Sequence, residues 1–137
     1  MGAEGSGHLE EMVNIPKTKR GRATLEKIVN VAEILFYQKG YSGTSIVDIT
    51  NLSGIALGTF YIYFKDKYSL YKYLLTMYSR QIRKEISEAT KGVESRIEQE
   101  RVGLLTFLRY TRENKHAYNI IWESLYIDKS LFMDYYD

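Results

Sequence analysis

The chain has 137 residues, of which 45% are apolar and 26% charged, and its formal net charge is +2 at pH 7. The apolar content is sufficient for a buried core, in one domain or in a small domain with an extension. The absence of cysteine excludes disulfides, thiolate zinc sites and cysteine nucleophiles, and no apolar run approaches the roughly 18 residues of a membrane-spanning helix.

The charge is distributed unevenly along the chain. Residues 1–11 carry a net charge of −3, residues 12–72 one of +5, and residues 73–137 none. A positive segment of this kind is typical of a surface that contacts phosphates. The initial letters, MGAEGSGHLEEM, are glycine-rich and acidic and lack the apolar stretch of a secretory signal. We therefore interpret residues 1–16 as a disordered leader and expect the native start of the protein near Met12.

Residues 17–22 (KTKRGR) are basic and precede the first predicted helix, residues 24–39. That helix has apolar residues at helical spacing, and Gly40 follows it as a C-terminal cap. The basic segment is either a solvated tail or a mobile arm that contacts phosphates or the minor groove of DNA. The candidate DNA contacts on this arm are Lys19, Arg20 and Arg22.

Two short helices joined by a tight turn follow the first helix. Thr44 or Ser45 is suited to cap the first of them, and with Ser45 as the cap, Asp48 falls at the capping-box position. Gly54 ends this helix, because glycine adopts a left-handed conformation that costs other residues about 1–2 kcal/mol. The second helix, residues 56–64, buries two phenylalanines and exposes a face that fits a DNA major groove. The exposed residues are Leu57, Gly58, Thr59, Tyr61 and Tyr63.

Four motifs follow one another in this region: Thr-Ser-Ile-x-Asp-Ile at 44–49, Ser-Gly-Ile at 53–55, Gly-Thr-Phe-Tyr-x-Tyr-Phe at 58–64 and Lys-x-Lys at 65–67. In their spacing, turn glycine and Gly-Thr-aromatic-Tyr centre they resemble the DNA-binding domain of the TetR family of bacterial transcriptional regulators. The resemblance extends from Lys17 to about Leu75. The chain departs from the usual residues of the family at Thr50, Ser53, Ala56 and Leu57.

The resemblance implies an all-α protein in two parts. Residues 17–67 correspond to a three-helix, homeodomain-like helix-turn-helix domain, and residues 68–137 to a helical ligand-binding and dimerisation domain. We expect the second part to be truncated, because family members usually end in two further long helices that pair with a second subunit.

The resemblance also implies the partners of the protein. It predicts a homodimer on a double-stranded DNA operator, most often as a repressor, in the bacterial cytoplasm at the nucleoid. Lys67 matches the family lysine that meets a phosphate, and Leu57 is suited to an apolar contact with a thymine methyl group. The implied DNA contacts are Thr44, Ser45, Leu57, Gly58, Thr59, Tyr61, Tyr63, Lys65 and Lys67, with Lys19, Arg20 and Arg22 on the arm.

The rest of the chain is predicted to be helical at about residues 67–90, 94–114 and 116–126, with a last helix that begins near Lys129. No strand-like alternation persists in these segments. In the helix at 94–114, apolar residues recur at helical spacing and are expected to face inward. These residues are Ile97, Leu104, Leu105 and Leu108.

Aromatic residues are frequent in the same part of the chain. At helical spacing they are most often core residues. The family resemblance, however, implies a small-molecule pocket among these helices, one suited to an apolar or aromatic effector. The candidates to line it are Phe107, Tyr110, Tyr118 and Trp122.

Catalysis finds little support in the sequence. Neither His-Glu-x-x-His, a Walker loop nor a nucleophile elbow is present, and His116, near Glu113 and Glu123, is most simply a surface residue. We therefore expect no enzyme activity, no metal and no cofactor. The rival class is an all-helical protein–protein adaptor whose helix-turn-helix is only a scaffold, and it would show neither salt-dependent DNA binding nor operator preference.

Overall fold

The computed structural model describes residues 13–128, and within them the chain forms six α-helices and no β-strand. This architecture confirms the predicted all-α class. The leader up to residue 12 and the helix predicted from Lys129 onward lie outside the described residues. The helices are α1 (Lys19–Lys39), α2 (Ile46–Ser53), α3 (Leu57–Tyr63), α4 (Lys67–Ala89), α5 (Arg96–Glu113) and α6 (Lys115–Ile127).

Helix α1 begins earlier than the sequence predicts. The Thr18 hydroxyl caps it by accepting a hydrogen bond from the backbone N–H of Gly21 at 3.0 Å, and such a cap stabilises a helix by about 1 kcal/mol relative to alanine. At the other end Gly40 closes the helix with a φ of 77°, as predicted. Three basic residues that were predicted to lie on a mobile arm are instead part of α1, exposed on its first turns, so that prediction was wrong for them. They are Lys19, Arg20 and Arg22.

The segment before α1 also differs from the prediction. Residues 13–16 were assigned to a disordered leader, but Val13 is only 2% exposed and forms an isolated antiparallel bridge with Phe64. The leader assignment was therefore wrong for residues 13–16. A pairing between residues so far apart in the sequence leaves no local pattern from which it could be predicted.

Helices α1, α2 and α3 share one core. Phe36 of α1, Ile49 of α2 and Phe60 of α3 are each at most 1% exposed, and Phe64 after α3 is equally buried. Ile46 of α2 is partly buried against this core. Because helices as short as α3 are marginal in isolation, its position depends on this burial, which stabilises by about 1.5–3 kcal/mol for each large apolar side chain.

Helix α4 has close to the predicted bounds. Asp66 caps it by accepting a hydrogen bond from the Ser69 backbone N–H at 2.7 Å, and Gly92, with a φ of 80°, lies in the turn that follows it. Its buried face is a single stripe that continues from the helix-turn-helix core towards α5. The stripe includes Leu70, Tyr71, Leu74, Tyr78 and Ile82.

Helix α6 packs on α1 as well as on α4. The Tyr71 hydroxyl donates a hydrogen bond to the carbonyl of Ile120, and the rings of Tyr37 and His116 lie with centroids 4.6 Å apart. The last helix of the described chain is therefore in direct contact with the first helix of the helix-turn-helix domain.

The orientation predicted for α5 was wrong. Gly103, Thr106 and Tyr110 share one face of the helix; Thr106 and Tyr110 are buried, and a Cβ at Gly103 would lie 3.7 Å from a methyl group of Ile86 in α4. The small residues permit close approach to α4, and this contact outweighs the stronger apolar stripe. In the part of the chain that the structure describes, the side chains of that stripe are exposed. They are Ile97, Leu104, Leu105 and Leu108.

Candidate nucleic-acid interface

Helix α2 begins with the predicted capping box. The Ser45 hydroxyl accepts a hydrogen bond from the Asp48 N–H, and Asp48 Oδ2 accepts one from the Ser45 N–H, both at 3.0 Å. Hydrogen bonds to the Asp48 carboxylate, first from the backbone and then from the side chain of Ser45, hold the pKa of Asp48 below its usual value. Lys39 lies 3.7 Å away from the same carboxylate. The capping box fixes the residue at which α2 starts.

The turn between α2 and α3 has helix-turn-helix geometry. Gly54 takes the left-handed conformation, with φ 70° and ψ 30°, and the two helix axes are bent by 105°, within the range typical of this motif. Thr50 and Ser53, which depart from the family pattern, donate their hydroxyl protons to backbone carbonyls of Val47 and Ile49. The departures therefore leave no buried hydroxyl without a partner.

Helix α3 presents an exposed face next to this turn. Leu57, Tyr61 and Ile62 are 47%, 51% and 58% exposed, and a Cβ at Gly58 would meet nothing within 4 Å. This confirms the predicted exposure of Leu57, Gly58 and Tyr61. Ile62 was missed, although its position four residues after Gly58 places it on the same face.

Two predicted residues of α3 lie at the side of this face. Thr59 is partly buried, and Tyr63 is partly buried against the core. The Tyr63 carbonyl accepts a hydrogen bond from the Asn14 backbone N–H at 3.0 Å. Tyr63 thus contributes to packing, and its DNA contact stays a prediction.

Thr44 does not fit the predicted contact with the DNA backbone. It is 1% exposed, and its hydroxyl lies within hydrogen-bond distance of the carbonyls of Gly40 at 2.8 Å and Leu35 at 3.2 Å. The hydroxyl thus bonds to carbonyls at the C-terminal end of α1 from the buried side. The prediction for Thr44 was therefore wrong, because its side chain points into the loop core.

Lys67 is also turned inward. Its ammonium donates to the carbonyls of Tyr41 at 2.7 Å and Thr44 at 3.0 Å, and it lies 4.1 Å from the centre of the Tyr41 ring. Lys67 thus joins the start of α4 to the loop between α1 and α2, and its phosphate contact stays a prediction. Lys65, two residues earlier, is exposed.

Tyr41 connects this loop to α6. Its backbone N–H donates to the carboxylate of Glu123 at 2.6 Å, and its ring lies edge-on to Tyr71 with centroids 5.0 Å apart. Burial, and then the charge of Asp66, raise the pKa of the Tyr41 hydroxyl. One loop residue therefore contacts α4 and α6 together.

Within the described residues, 13–128, the four predicted pocket residues are not brought together around either of two cavities. Tyr110 lines a cavity of about 530 Å³, whereas Tyr118 lines a separate groove of about 350 Å³ with Tyr37 and Thr111. Phe107 is partly buried against the core, and Trp122 is 43% exposed with its ring edge-on to Tyr118. The shared aromatic pocket therefore stays a prediction.

The larger cavity lies between α1, α4 and the junction of α5 and α6, and its walls are mixed in character. The Tyr78 hydroxyl donates to the Glu33 carboxylate at 2.7 Å, and the Tyr110 hydroxyl donates to Gln81 at 2.5 Å. Burial, followed by the charges of nearby glutamates, raises the pKa of Tyr110 to about 12 and that of Tyr78 further. Both hydroxyls therefore remain protonated hydrogen-bond donors at neutral pH.

Among residues 13–128, no group of three or more His, Asp or Glu side chains could hold a metal ion. No single helix in that range is long and apolar enough to cross a membrane; α2 and α3 reach the threshold only as a sharply bent pair.

Comparisons with known proteins agree with this geometry. Residues 28–74 match the family of bacterial regulatory proteins, tetR family. The chain is 27% identical, over 82% of its length and 55% of the relative's, to the probable HTH-type transcriptional regulator YttP of Bacillus subtilis (strain 168). It is 41% identical, over 40% of its length and 26% of the relative's, to the HTH-type transcriptional regulator AcrR of Shigella flexneri. The chain thus spans about half the length of YttP and a quarter of AcrR.

The solved structures give the same picture. A transcriptional regulator (TerR/AcrR family) from Aquifex aeolicus VF5 superposes with a TM-score of 0.67 at 26% identity, over 82% of this chain and 63% of that one. A putative tetR family regulator from Shewanella sp. PV-4, 20% identical, has the same fold with a TM-score of 0.71, over 82% of this chain and 61% of that one. The matching helix-turn-helix, the shared fold and the similar regulators together identify residues 28–74 as a DNA-binding domain of the tetR family of bacterial regulatory proteins.

Proposed function

We propose that the protein is a transcriptional regulator that binds a specific DNA operator through α3. The observation that carries the proposal is the exposed face of α3, on the second helix of a helix-turn-helix, preceded in sequence by a basic segment. A helix in this arrangement lies in the major groove and contacts base edges with its outward residues. The family relationship supports repression as the usual mode of action.

The exposed residues of α3 suit a mixture of apolar and polar contacts with bases. Leu57 and Ile62 provide apolar surface for thymine methyl groups, and the Tyr61 ring and hydroxyl combine an apolar contact with hydrogen bonding. Gly58 permits close approach to the DNA, since no side chain stands between it and the groove. The Thr59 hydroxyl at the side of the face is suited to a phosphate oxygen.

Contacts with phosphates are assigned to exposed cations and to one hydroxyl. Lys65 lies directly after α3, and Ser45 is exposed at the start of α2. The basic start of α1 is near by, because the Val13–Phe64 pairing brings the preceding segment to the end of α3. Contacts of this kind position the protein without reading sequence. The α1 residues that take part are Lys19, Arg20 and Arg22.

We infer that the operator-bound form is a homodimer at a pseudo-palindromic site. Two recognition helices related by a two-fold axis would reach half-sites about one helical turn, or a multiple of it, apart. A regulator of this kind acts in the bacterial cytoplasm, where the nucleoid lies. The assignment rests on the family relationship.

For the effector, we infer a small molecule with an aromatic or apolar body and a hydrogen-bonding group. The cavity of about 530 Å³ supports this, since its wall combines Met77 and Val29 with the donors and acceptors of Tyr110 and Glu33. Cavities of this size are within the range of small-molecule sites.

The contact between Tyr41 and Glu123 offers a route from effector to DNA. An effector that displaces α6 would pull on the loop through the 2.6 Å hydrogen bond, and Lys67 would transmit the change to α4. Such coupling is reciprocal, so operator DNA must weaken effector binding by the same factor.

The test is selection of genomic fragments with the purified chain, followed by titration on the enriched fragment at two salt concentrations. Enrichment of one pseudo-palindromic site, with affinity falling steeply as salt rises, supports a sequence-specific regulator. Binding without enrichment supports a working DNA-binding surface but contradicts specific recognition by this chain. No binding at low salt by a folded sample contradicts the proposal and favours the protein–protein adaptor.

A further inference from the structure

The segment before α1 lies across the C-terminal end of α3. The backbone N–H of Asn14 donates to the Tyr63 carbonyl at 3.0 Å, and its side-chain Nδ2 donates to the Ile62 carbonyl at 3.2 Å. Carbonyls in the last turn of a helix have no donor within the helix. Asn14 therefore supplies two donors to a seven-residue helix that has no basic residue in its last turn.

Val13 anchors this segment to the core. Its side chain is 2% exposed, and it forms an antiparallel bridge with Phe64, which is 1% exposed and caps the end of α3. The bridge therefore fixes the direction in which the chain leaves α3.

Gly21 makes room for the same segment on α1. A Cβ at position 21 would lie 2.6 Å from the Cβ of Pro16 and 3.0 Å from the Thr18 hydroxyl. Glycine within a helix costs about 1 kcal/mol relative to alanine, so the close approach of Pro16 gives a packing reason for its presence. The segment is thus held at one end by Phe64 and at the other by α1.

We propose that residues 13–16 form a clamp that positions α3 and thereby sets how sharply the protein discriminates its operator from other DNA. This inference rests on the proposed function, because it assigns α3 to the major groove. Tyr61 and Ile62 lie in or next to the turn that the clamp holds. Base contacts demand a narrow range of distance and angle, whereas flexible lysines adapt to phosphates, so loosening the clamp impairs specific binding more than non-specific binding.

The first test compares Asn14→Ala with Asn119→Ala, which removes an exposed amide on α6 far along the chain from the clamp. Asn14→Ala is expected to raise the dissociation constant for the selected operator about 3- to 10-fold, with binding to an unrelated duplex of equal length unchanged. Asn119→Ala should change neither constant. An unchanged ratio of the two constants in Asn14→Ala would overturn the proposal.

The second test is a double-mutant cycle between Pro16 and Gly21. Gly21→Ala is expected to lower discrimination because its methyl group displaces Pro16, and Pro16→Gly removes the atom with which it clashes. In the Pro16→Gly background, Gly21→Ala should therefore have a smaller effect, because only its tight contact with the Thr18 hydroxyl remains. Independent, additive effects of the two substitutions would contradict contact between α1 and the clamp.

Amide hydrogen exchange separates the clamp from the proposed function, because it needs no DNA. In the wild-type chain the Asn14 amide should be protected, and Asn14→Ala should accelerate exchange at Phe64, whose N–H bonds to the Phe60 carbonyl at 3.0 Å. Unchanged exchange at Phe64 would refute the clamp even if DNA binding is found. Conversely, a wild-type chain that binds no DNA but shows these exchange effects would retain the clamp on α3 and contradict its role in discrimination.

Discussion

Replacing Lys67 by methionine tests whether this residue serves folding rather than DNA. Methionine keeps the apolar stem but removes the ammonium that donates to the carbonyls of Tyr41 and Thr44 and lies over the Tyr41 ring. Hydrogen bonds from a charged group contribute about 1.5–3 kcal/mol each, and the cation–π contact about 0.5–1 kcal/mol. Because Lys67 is partly exposed and water competes, we expect Lys67→Met to lower the free energy of unfolding by about 2–3 kcal/mol, or the melting temperature by roughly 10 °C.

The matched control is Lys65→Met, which removes an exposed charge two residues earlier. Its unfolding free energy should stay within about 0.5 kcal/mol of the wild type, while the slope of log affinity against log salt for DNA becomes shallower by about one unit. Urea denaturation followed by circular dichroism measures the first quantity, and operator titration the second. Equal stability of the two variants would refute the structural role assigned to Lys67.

Three further predictions concern the helix-turn-helix. Tyr61→Ala should weaken operator binding by about 1–3 kcal/mol with the fold intact; unchanged affinity on the selected operator would remove Tyr61 from the contact surface. Gly54→Ala should destabilise by about 1–2 kcal/mol, because its φ of 70° is left-handed, whereas Gly58→Ala should preserve stability and lower DNA affinity; thermal unfolding and titration separate the two, and similar melting temperatures would contradict the strain argument. Since hydrogen bonding lowers the pKa of Asp48, its capping box stabilises the fold above the usual value of 3.8 and is lost as the pH falls through the lower folded value. Between about pH 5 and pH 2 the free energy of unfolding should therefore fall less in Asp48→Asn than in the wild type. Identical pH profiles of the two proteins would contradict this.

The elements that could be predicted from the sequence are those that local chemistry determines. Ser45 and Asp48 satisfy each other three residues apart, Gly54 permits the turn, and the spacing of Phe60 and Phe64 assigns the buried face of α3. None of these features depends on a distant partner, so the positions of α2 and α3 in the sequence can be predicted from a short segment.

The elements that could not be predicted depend on distant partners. The inward turn of Lys67 is decided by carbonyls more than 20 residues away, and the burial of Val13 by Phe64. For α5, the stripe that includes Leu104 and Leu108 indicates an amphipathic helix but does not say which face meets α4. The face with Gly103 and Thr106 does so because small residues permit closer approach.

The contact of α6 with α1 has a consequence for how the chain unfolds. Tyr71 of α4 bonds to the Ile120 carbonyl and packs on Phe36 and Tyr41, while Glu123 holds the Tyr41 backbone. Separating the helix-turn-helix from α6 would expose this aromatic cluster and leave polar groups without partners. The two parts of the described chain therefore form a single cooperative unit, and a fragment that ends at residue 67 should lose much of its stability rather than fold as an autonomous DNA-binding module.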